Sequence, residues 1–444
     1  MSTKHDVVVV GGGIAGLCAA WELSQFEDVR VHVIEQSDRL GGNISTMTFA
    51  GRQMDAGPDA FLRRVPSALQ LCSELGITDL VSPASSQAFV YVNDALHAIP
   101  RDTILGIPRD LDSPELRSLL SDEAMEILRA EASLPGEGSI EDAYLGEVLS
   151  RRMGKEFVDR LVAPLVGGIN AGDIDQLSLA AVTPQLFDLV ASEQSILTNA
   201  ARVPVQAGPV FAAPRTGMGT IIDELEAHLI GRGVSIDLGI TVDRLPESDG
   251  VVIATTLASA AGLIEPVAAR HSDVLRNIAT SSCVLALLSY PKSAVDLDLV
   301  GSGVLIAKGG SCRTTAISWA TSKWAHLDVG DDVVVRASVG STSDPGAVNA
   351  SDDELVEILT SDIGRVMRVD GAPAEVYLGR YRDSFPQYAP GHLGRVNDME
   401  RDLRTVQPRV RVCGMSQRGV GIPAVIEQAR TAARDLAMDL GVMS

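Results

Sequence analysis

Cysteine is scarce in this sequence, and its arrangement removes two classes of protein from consideration. The five cysteines, Cys18, Cys72, Cys283, Cys312 and Cys413, are odd in number, scattered, and form no C-x-x-C pair. Neither a disulfide framework nor a zinc site is indicated, no other metal site is expected, and the five read as buried small hydrophobes. Positive charge is short as well: 37 Lys and Arg stand against 58 Asp and Glu, a formal net charge of -21. Such a surface repels nucleic acid and anionic lipid, so an acidic ligand needs a local basic pocket. Long apolar runs are also missing. The longest candidate, Val7 to Trp21, is short for a membrane span and broken by glycines. Met1 to His5 lead straight into a strand pattern with no apolar leader segment. A cytoplasmic location is expected, with at most peripheral membrane contact.

What is present describes a globular chain. A hydrophobic share of 45% over 444 residues suffices for a large core in two or three domains. The organising stretch is Asp6 to Leu17, where four valines run into glycines at 11, 12, 13 and 16. A buried strand, a glycine turn and a helix start follow from it, and Gly11, Gly13 and Gly16 fall on G-x-G-x-x-G. Gly11 makes the tight turn, Gly13 admits a pyrophosphate to the backbone, and Gly16 lets helix and strand close up. The helix, running to about Phe26, offers its N-terminal N–H groups and dipole to the phosphates. Val29 to Ile34 alternate as a second strand that ends at Glu35, where an acid would grip a ribose.

Further along, Arg39-Leu40-Gly41-Gly42 is a second glycine turn. A helical spacing covers Val65 to Gly76, and Phe89 to Pro100 read as strands. Ser113-Pro114-Glu115 is a helix start and Ser139-Ile140-Glu141-Asp142 a second cap, so about 110 to 201 is mainly helical. A helix over Thr220 to Leu229 and strands at Val234 to Ile236 and Val251 to Thr256 rejoin the first sheet. Strands at Val284 to Tyr290, Thr314 to Trp319, Val333 to Val339 and Ala374 to Leu378, with a helix near Asp352 to Val366, make a second sheet. Val410 to Gly414 and a glycine loop at Gly419 to Pro423, leading into a helix to Leu440, return to the first. Glu35 followed by Arg39-Leu40-Gly41-Gly42 resembles the FAD site of glutathione-reductase-like flavoproteins, so the expected fold class is α/β: a Rossmann-like FAD-binding domain, a mixed-sheet substrate domain and a mainly helical insertion. The corresponding ranges are 1–86 with 215–280 and 389–444, then 87–109 with 281–388, then 110–214.

Four further motifs carry a resemblance. These are Gly57-Pro58-Asp59-Ala60-Phe61-Leu62, the run Ala163 to Asp173 with Leu177 to Leu179, Phe385 to Tyr388 with Gly391-His392, and Arg418 to Pro423. In this order the chain resembles the oxygen-dependent protoporphyrinogen and coproporphyrinogen III oxidases, a branch of the amine-oxidase-like flavoproteins. The resemblance implies FAD as cofactor. Gly11, Gly12, Gly13, Ile14, Ala15 and Gly16 would hold the pyrophosphate and Glu35 the ribose, with Gln36, Arg39 and Gly42 as further cofactor-binding positions. Gly57, Pro58, Asp59 and Ala60 would pass the isoalloxazine, Val242 would meet the adenine, and Val420, Gly421 and Ile422 would contact the flavin carbonyl edge. Asn170 stands where tyrosine is common, Met415 where asparagine usually precedes the loop, and Tyr381 where a tryptophan lies against the flavin; Tyr381 can still stack.

The implied reaction oxidises a porphyrinogen with O2 and yields H2O2, the flavin carrying the chemistry. No catalytic side chain is identified; His32, His97, His228, His271, His326 and His392 form no triad and read as structural or surface residues. Two rivals stand beside this. An amine or polyamine oxidase would have a lysine near the flavin and aromatic framing, whereas Ser282 to Ser289 hold no lysine and aromatics are 4%. A non-catalytic FAD module acting with another haem-pathway protein is the second. Coproporphyrinogen III is favoured over protoporphyrinogen IX because Arg63 and Arg64 follow the flavin-facing turn and Ala88 replaces an arginine found in some protoporphyrinogen enzymes. Gly168 and Ile278 are added as substrate-side positions, and a following haem-pathway enzyme as a possible partner.

Overall fold

The computed structural model describes residues 4–204 and 208–443. The reading of Met1 to Thr3, and residues 205–207 of the helical insertion, lie outside the described residues.

Branched valines form β1 (His5–Val10), and after the glycine turn α1 (Ile14–Leu23) begins, ending short of Phe26. β2 (Val29–Ile34) returns parallel to β1, with Val7 opposite Val31 and Val9 opposite Val33. β3 (Thr46–Phe49) and β4 (Arg52–Asp55) form a hairpin, and α2 (Pro66–Glu74) opens on its proline.

The region from Pro114 to Arg202 is mostly helical. Ser113 caps its first helix by accepting from Leu116 N, as the Ser-Pro-Glu start predicts. The second expected cap is corrected: the helix Leu145–Met153 starts after Tyr144, with no side-chain cap. Asp142 instead works across the fold, accepting from Ser178 Oγ at 2.7 Å, Ala180 N at 3.1 Å and Gly391 N at 2.8 Å. A short acidic side chain suits either use, and only the fold selects. This region has its own core around Leu128, Leu149, Phe157 and Val162. α3 (Ala163–Asn170) and α4 (Pro184–Val190) belong to it.

α5 (Gly219–Gly231) and β5 (Ser235–Asp237) follow, then β6 (Gly250–Ile253). β6 stops before the expected Thr256, because Thr256 caps α6 (Leu257–Arg276) by accepting from Ser259 N. α6 was not expected; Pro266 interrupts its pattern and Ala268 leaves helical geometry at φ -157°. β7 (Ala279–Pro291), β8 (Asp332–Val339) and β9 (Glu375–Gln387) then make one side of a seven-stranded sheet. Its order is β9-β7-β8, then Thr314–Trp319, Gly303–Ile306, Phe89–Val92 and Ala95–Ala98. The Gly303–Ile306 strand, also unexpected, pairs parallel with Phe89–Val92 while its other neighbour is antiparallel, so the sheet is mixed. α7 (His392–Val406), β10 (Val410–Val412) and α8 (Ile422–Asp439) complete the chain.

The first sheet runs β5-β2-β1-β6-β10, all parallel. Leu17, Ile221, Leu225, Ile426 and Leu436 from α1, α5 and α8 share one core with its strands; Leu263, Ile264, Met399 and Leu403 from α6 and α7 share another. The architecture is α/β, and its ligand-binding edge lies beyond the carboxyl ends of the parallel strands. Among the described residues no helix is long and apolar enough to cross a membrane.

Candidate cofactor site

The turn after β1 depends on its glycines for different reasons. Gly11 has φ of 109°, and a Cβ on Gly16 would lie 1.8 Å from the Gly11 carbonyl oxygen. Those two positions leave no room for a side chain. Gly13 is the opposite case, since a Cβ there would meet only Gly42 Cα, at 3.9 Å. The two glycine turns thus pack backbone against backbone, with a Cβ on Gly42 only 3.3 Å from Gly13 Cα. Gly41 N donates to Gly12 O at 2.8 Å and locks them together. Exposed Arg39 fastens the second turn, donating to Leu40 O, Gly42 O and Ile44 O at 3.0, 2.6 and 3.2 Å. No side chain caps α1, and no acid occupies its first turn, so its leading N–H groups are available to an anion.

Glu35, buried just past β2, braces this turn: Oε2 accepts from Gly12 N at 2.6 Å and Oε1 from Ser37 N at 2.8 Å. Gln36 beside it is exposed. Ile240 N reaches Glu35 O at 3.0 Å, which brings the segment holding half-buried Val242 to the same end of the sheet. The glycine turn, with no side chain on Gly13, an uncapped helix after it and a carboxylate at its side, fits a dinucleotide pyrophosphate and its ribose.

The second group of expected residues gathers around Gly57. A Cβ on Gly57 would lie 1.9 Å from Asn43 O, so the 57–60 turn packs on the second glycine turn. Tyr381 Oη donates to Ala56 O at 2.9 Å, and burial pushes its hydroxyl up to about 12. It shares a face of β9 with Tyr377, opposite Cys283 and Leu287 of β7. Asp59 is held by Lys323, Arg336 and Trp324, while Arg336 also donates to Gly57 O. Burial alone would raise the Asp59 carboxyl, but Lys323 and Arg336 outweigh it and hold it well below the usual range. Asp55 accepts from Thr46 Oγ1 at 2.6 Å and Met218 N at 2.8 Å, yet burial pushes it up to about 6.

The third group is the C-terminal loop. Gly421 stands at the start of α8 with no side-chain cap; Val420 is half-buried and Ile422 buried. A Cβ on Gly414 would meet Ala15 Cβ at 3.8 Å, which sets this loop beside the first turn of α1. Tyr388 and His392 brace it from below. Tyr388 Oη donates to Met415 O and accepts from Gly419 N at 3.1 Å; His392 stacks on Tyr388 at 4.2 Å and bonds Gln417 O at 2.7 Å. Sequence reasoning quoted that Tyr and His as a motif without seeing this task. Asn170 is turned inward, Nδ2 donating to Val166 O at 2.8 Å and its backbone carbonyl accepting from Gln387.

The substrate-side positions are not drawn together in the same way. Arg63 N bonds Val210 O, and exposed Arg64 reaches Gln185 of α4. Gly168 is exposed on α3, its nearest neighbour for a Cβ being Leu305 at 3.7 Å, and Ile278 packs on the α6–α7 core. Among the described residues no hydrogen bond links these three places. Sequence reasoning also missed Lys323, Trp324 and Arg336. The signal for Arg336 was a charge inside the apolar alternation of β8.

Comparison with known proteins agrees with this geometry. The family model for flavin containing amine oxidoreductases matches residues 14–437. A coproporphyrinogen III oxidase of Bacillus subtilis (strain 168) is 31% identical over 97% of this chain and 98% of its own length. That of Mycobacterium leprae (strain TN) is 33% identical over 96% and 97%. A crystal structure of a protein from Exiguobacterium sp. 255-15, assigned as a protoporphyrinogen oxidase, superposes with a TM-score of 0.87 at 28% identity, covering 99% of this chain and 100% of that one. With its match running almost end to end, the chain belongs to the flavin-containing amine oxidoreductases.

Proposed function

We propose that this chain is an FAD-dependent oxidase that converts coproporphyrinogen III to coproporphyrin III in haem biosynthesis, with O2 as electron acceptor and H2O2 as product. The observation that carries this is end-to-end similarity to coproporphyrinogen III oxidases, on a fold whose glycine turn opens an uncapped helix N-terminus to an anion. In this reading Gly11 to Gly16 and Gly42 hold the pyrophosphate, and Glu35 and Gln36 the ribose. Arg39 acts through the turn it staples, and Val242 lies on the adenine side. Gly57 to Ala60, Tyr381 and Val420 to Ile422 surround the ring. The domain division follows the same logic: 1–86, 215–280 and 389–444 for the cofactor, 87–109 and 281–388 for the substrate, 110–214 as insertion.

Bound FAD supplies hydride acceptance and passes the electrons on to oxygen. The chain binds, orients and keeps water out, and the macrocycle's own N–H groups release the protons, so no side-chain base is required. Arg63 and Arg64 offer cations to propionates, with Gly168 and Ile278 nearer the macrocycle. The reading includes a cytoplasmic location and a following haem-pathway enzyme as partner. The Exiguobacterium neighbour supports protoporphyrinogen IX as a second substrate reading. Porphyrin fluorescence with parallel O2 consumption, run on both porphyrinogens with one preparation, tests it. A higher kcat/KM for coproporphyrinogen is expected; a clear preference for protoporphyrinogen, or turnover of polyamines alone, overturns it.

A further inference from the structure

Asp142 precedes the Leu145–Met153 helix, and its half-buried carboxylate accepts from donors on distant segments. Oδ2 accepts from Gly391 N at 2.8 Å and Oδ1 from Ala180 N at 3.1 Å, while Ser178 Oγ lies 2.8 Å from Oδ1 and 2.7 Å from Oδ2. Ser178 Oγ also accepts from Ala181 N at 2.9 Å, so its own proton goes to Asp142. An amide at 142 could not replace the carboxylate, because whichever way it turned its NH2 would face a donor.

Two routes lead from this carboxylate to the C-terminal glycine loop. Ser178 N donates to Tyr388 O at 2.7 Å, and the hydroxyl at the far end of Tyr388 holds Met415 O and Gly419 N. Gly391, with φ of 79°, opens α7 directly before His392, which stacks on Tyr388 and bonds Gln417 O. Both aromatic side chains are buried. The loop they hold lies beside the first turn of α1, where Gly414 approaches Ala15, and it ends at Gly421 with no side-chain cap for α8. With Gly414, Gly419 and Gly421 in so short a stretch, the loop has little stiffness of its own, and its shape depends on what braces it.

We infer that Asp142 is a positioning residue for the cofactor: from the helical region it fixes Tyr388 and His392, and through them the backbone of the Gly414–Gly421 loop. The inference rests on the proposal that this loop meets the flavin. Asp142 itself touches no cofactor; it acts through the two residues it holds, and a loop displaced by a fraction of an ångström loses contacts that a rigid one keeps.

The test uses the holoprotein and three readouts: FAD dissociation constant, flavin absorption spectrum and melting temperature. Asp142→Asn and Tyr388→Phe are each expected to weaken FAD binding about 5- to 10-fold and to shift the spectrum. The double variant should lie within about twofold of the weaker single one, because both act on one loop; losses that multiply overturn the inference. If Asp142→Asn lowers the melting temperature but keeps wild-type affinity and spectrum, the residue is only structural and the inference falls. Glu131→Gln, which loosens the helical region away from this network, is the control: a lower melting temperature is expected with FAD affinity within about twofold of wild type, and a loss matching that of Asp142→Asn overturns the inference as general loosening. Should Asp142→Asn fail to fold, Ser178→Ala cuts one of the two routes and is expected to weaken FAD about 3-fold; with Tyr388→Phe it then decides. Val420→Trp separates the two readings. If it changes neither flavin spectrum nor affinity, the loop does not meet the flavin and both fall; if it changes them while Asp142→Asn and Tyr388→Phe stay silent, the Asp142 inference alone falls.

Discussion

Glycine 13 and glycine 16 stand three residues apart in one motif, yet they are there for different reasons, and substitution separates them. At Gly13 the backbone is extended (φ -74°, ψ 176°) and a side chain would meet almost no protein. Gly13→Val should therefore cost the apoprotein about 1 kcal/mol or less, the scale of a changed N-cap, while abolishing FAD binding. Gly16→Val drives a side chain into the Gly11 carbonyl and should cost about 3 kcal/mol or more, read as a fall in apoprotein melting temperature. Two carboxyls four positions apart, Asp55 and Asp59, also oppose each other in their response to pH. Asp55, with a folded value of about 6 against about 3.9 unfolded, favours the folded state below the lower value and loses that contribution as pH rises through the higher. Asp59, held low, contributes above about pH 4 and loses it on acidification. Asp55→Asn should flatten the first dependence: the stability of wild type relative to the variant falls by roughly 2 to 3 kcal/mol between about pH 4 and pH 7. Denaturant melts across that range provide the measurement, and parallel curves for the two proteins would contradict it.

At the scale of elements, the helical region is fastened by a buried charge that no local pattern announces. Glu131, with no exposed surface, accepts from Ile196 N at 2.9 Å and Leu197 N at 3.1 Å, so it serves the start of the Ile196–Arg202 helix from another helix. Arg152 pairs with it at 2.5 Å. Glu131→Ala leaves Arg152 buried without its partner and should cost about 3 to 5 kcal/mol, measured by equilibrium unfolding. Glu131→Gln, which keeps an acceptor for the two N–H groups, should cost distinctly less. The elements best read in sequence are those with a local signal: β2 falls on Val29 to Ile34 as expected, and α2 and the Asp352–Met367 helix lie within a residue or two of it. α6 was hidden by Pro266. α7 has Val396, Met399 and Leu403 at helical spacing, but its two positive and three negative charges between 395 and 402 give it a loop-like look.

For the whole molecule, net charge decides how a tetra-anionic substrate meets the enzyme. A surface of -21 repels it and salt screens that repulsion over about 8 Å at physiological ionic strength. If coproporphyrinogen is the substrate, kcat/KM should rise with salt at low ionic strength. Arg64→Ala should raise KM by about 5- to 100-fold with little change in kcat, since a remote carboxylate contact worth about 1 to 3 kcal/mol is felt equally in ground and transition states. Stopped-flow or steady-state fluorescence at several salt concentrations reads both. An unchanged KM would remove Arg64 from the substrate site while leaving the oxidase reading in place. The β3–β4 hairpin is tied to the second sheet by one buried cation: Arg52, 4% exposed, bonds Leu327 O at 2.8 Å and Asp332 at the start of β8 at 2.9 Å.

The sequence by itself determined what depends on neighbours along the chain. The valine run, the three glycines and the acid after β2 specify a strand, a turn and a helix that open toward an anion, because backbone sterics and hydrogen-bond geometry act within a few residues. Only the tertiary structure decided which distant groups meet. Asp142 reads as a cap but ties Gly391 and Ser178; Tyr388 reads as part of a motif but holds Met415 and Gly419; Arg336 reads as an odd charge in a strand but reaches Gly57. Each is a polar group whose partner lies far along the chain, and buried polar groups must find partners wherever the packing of sheets and helices brings them.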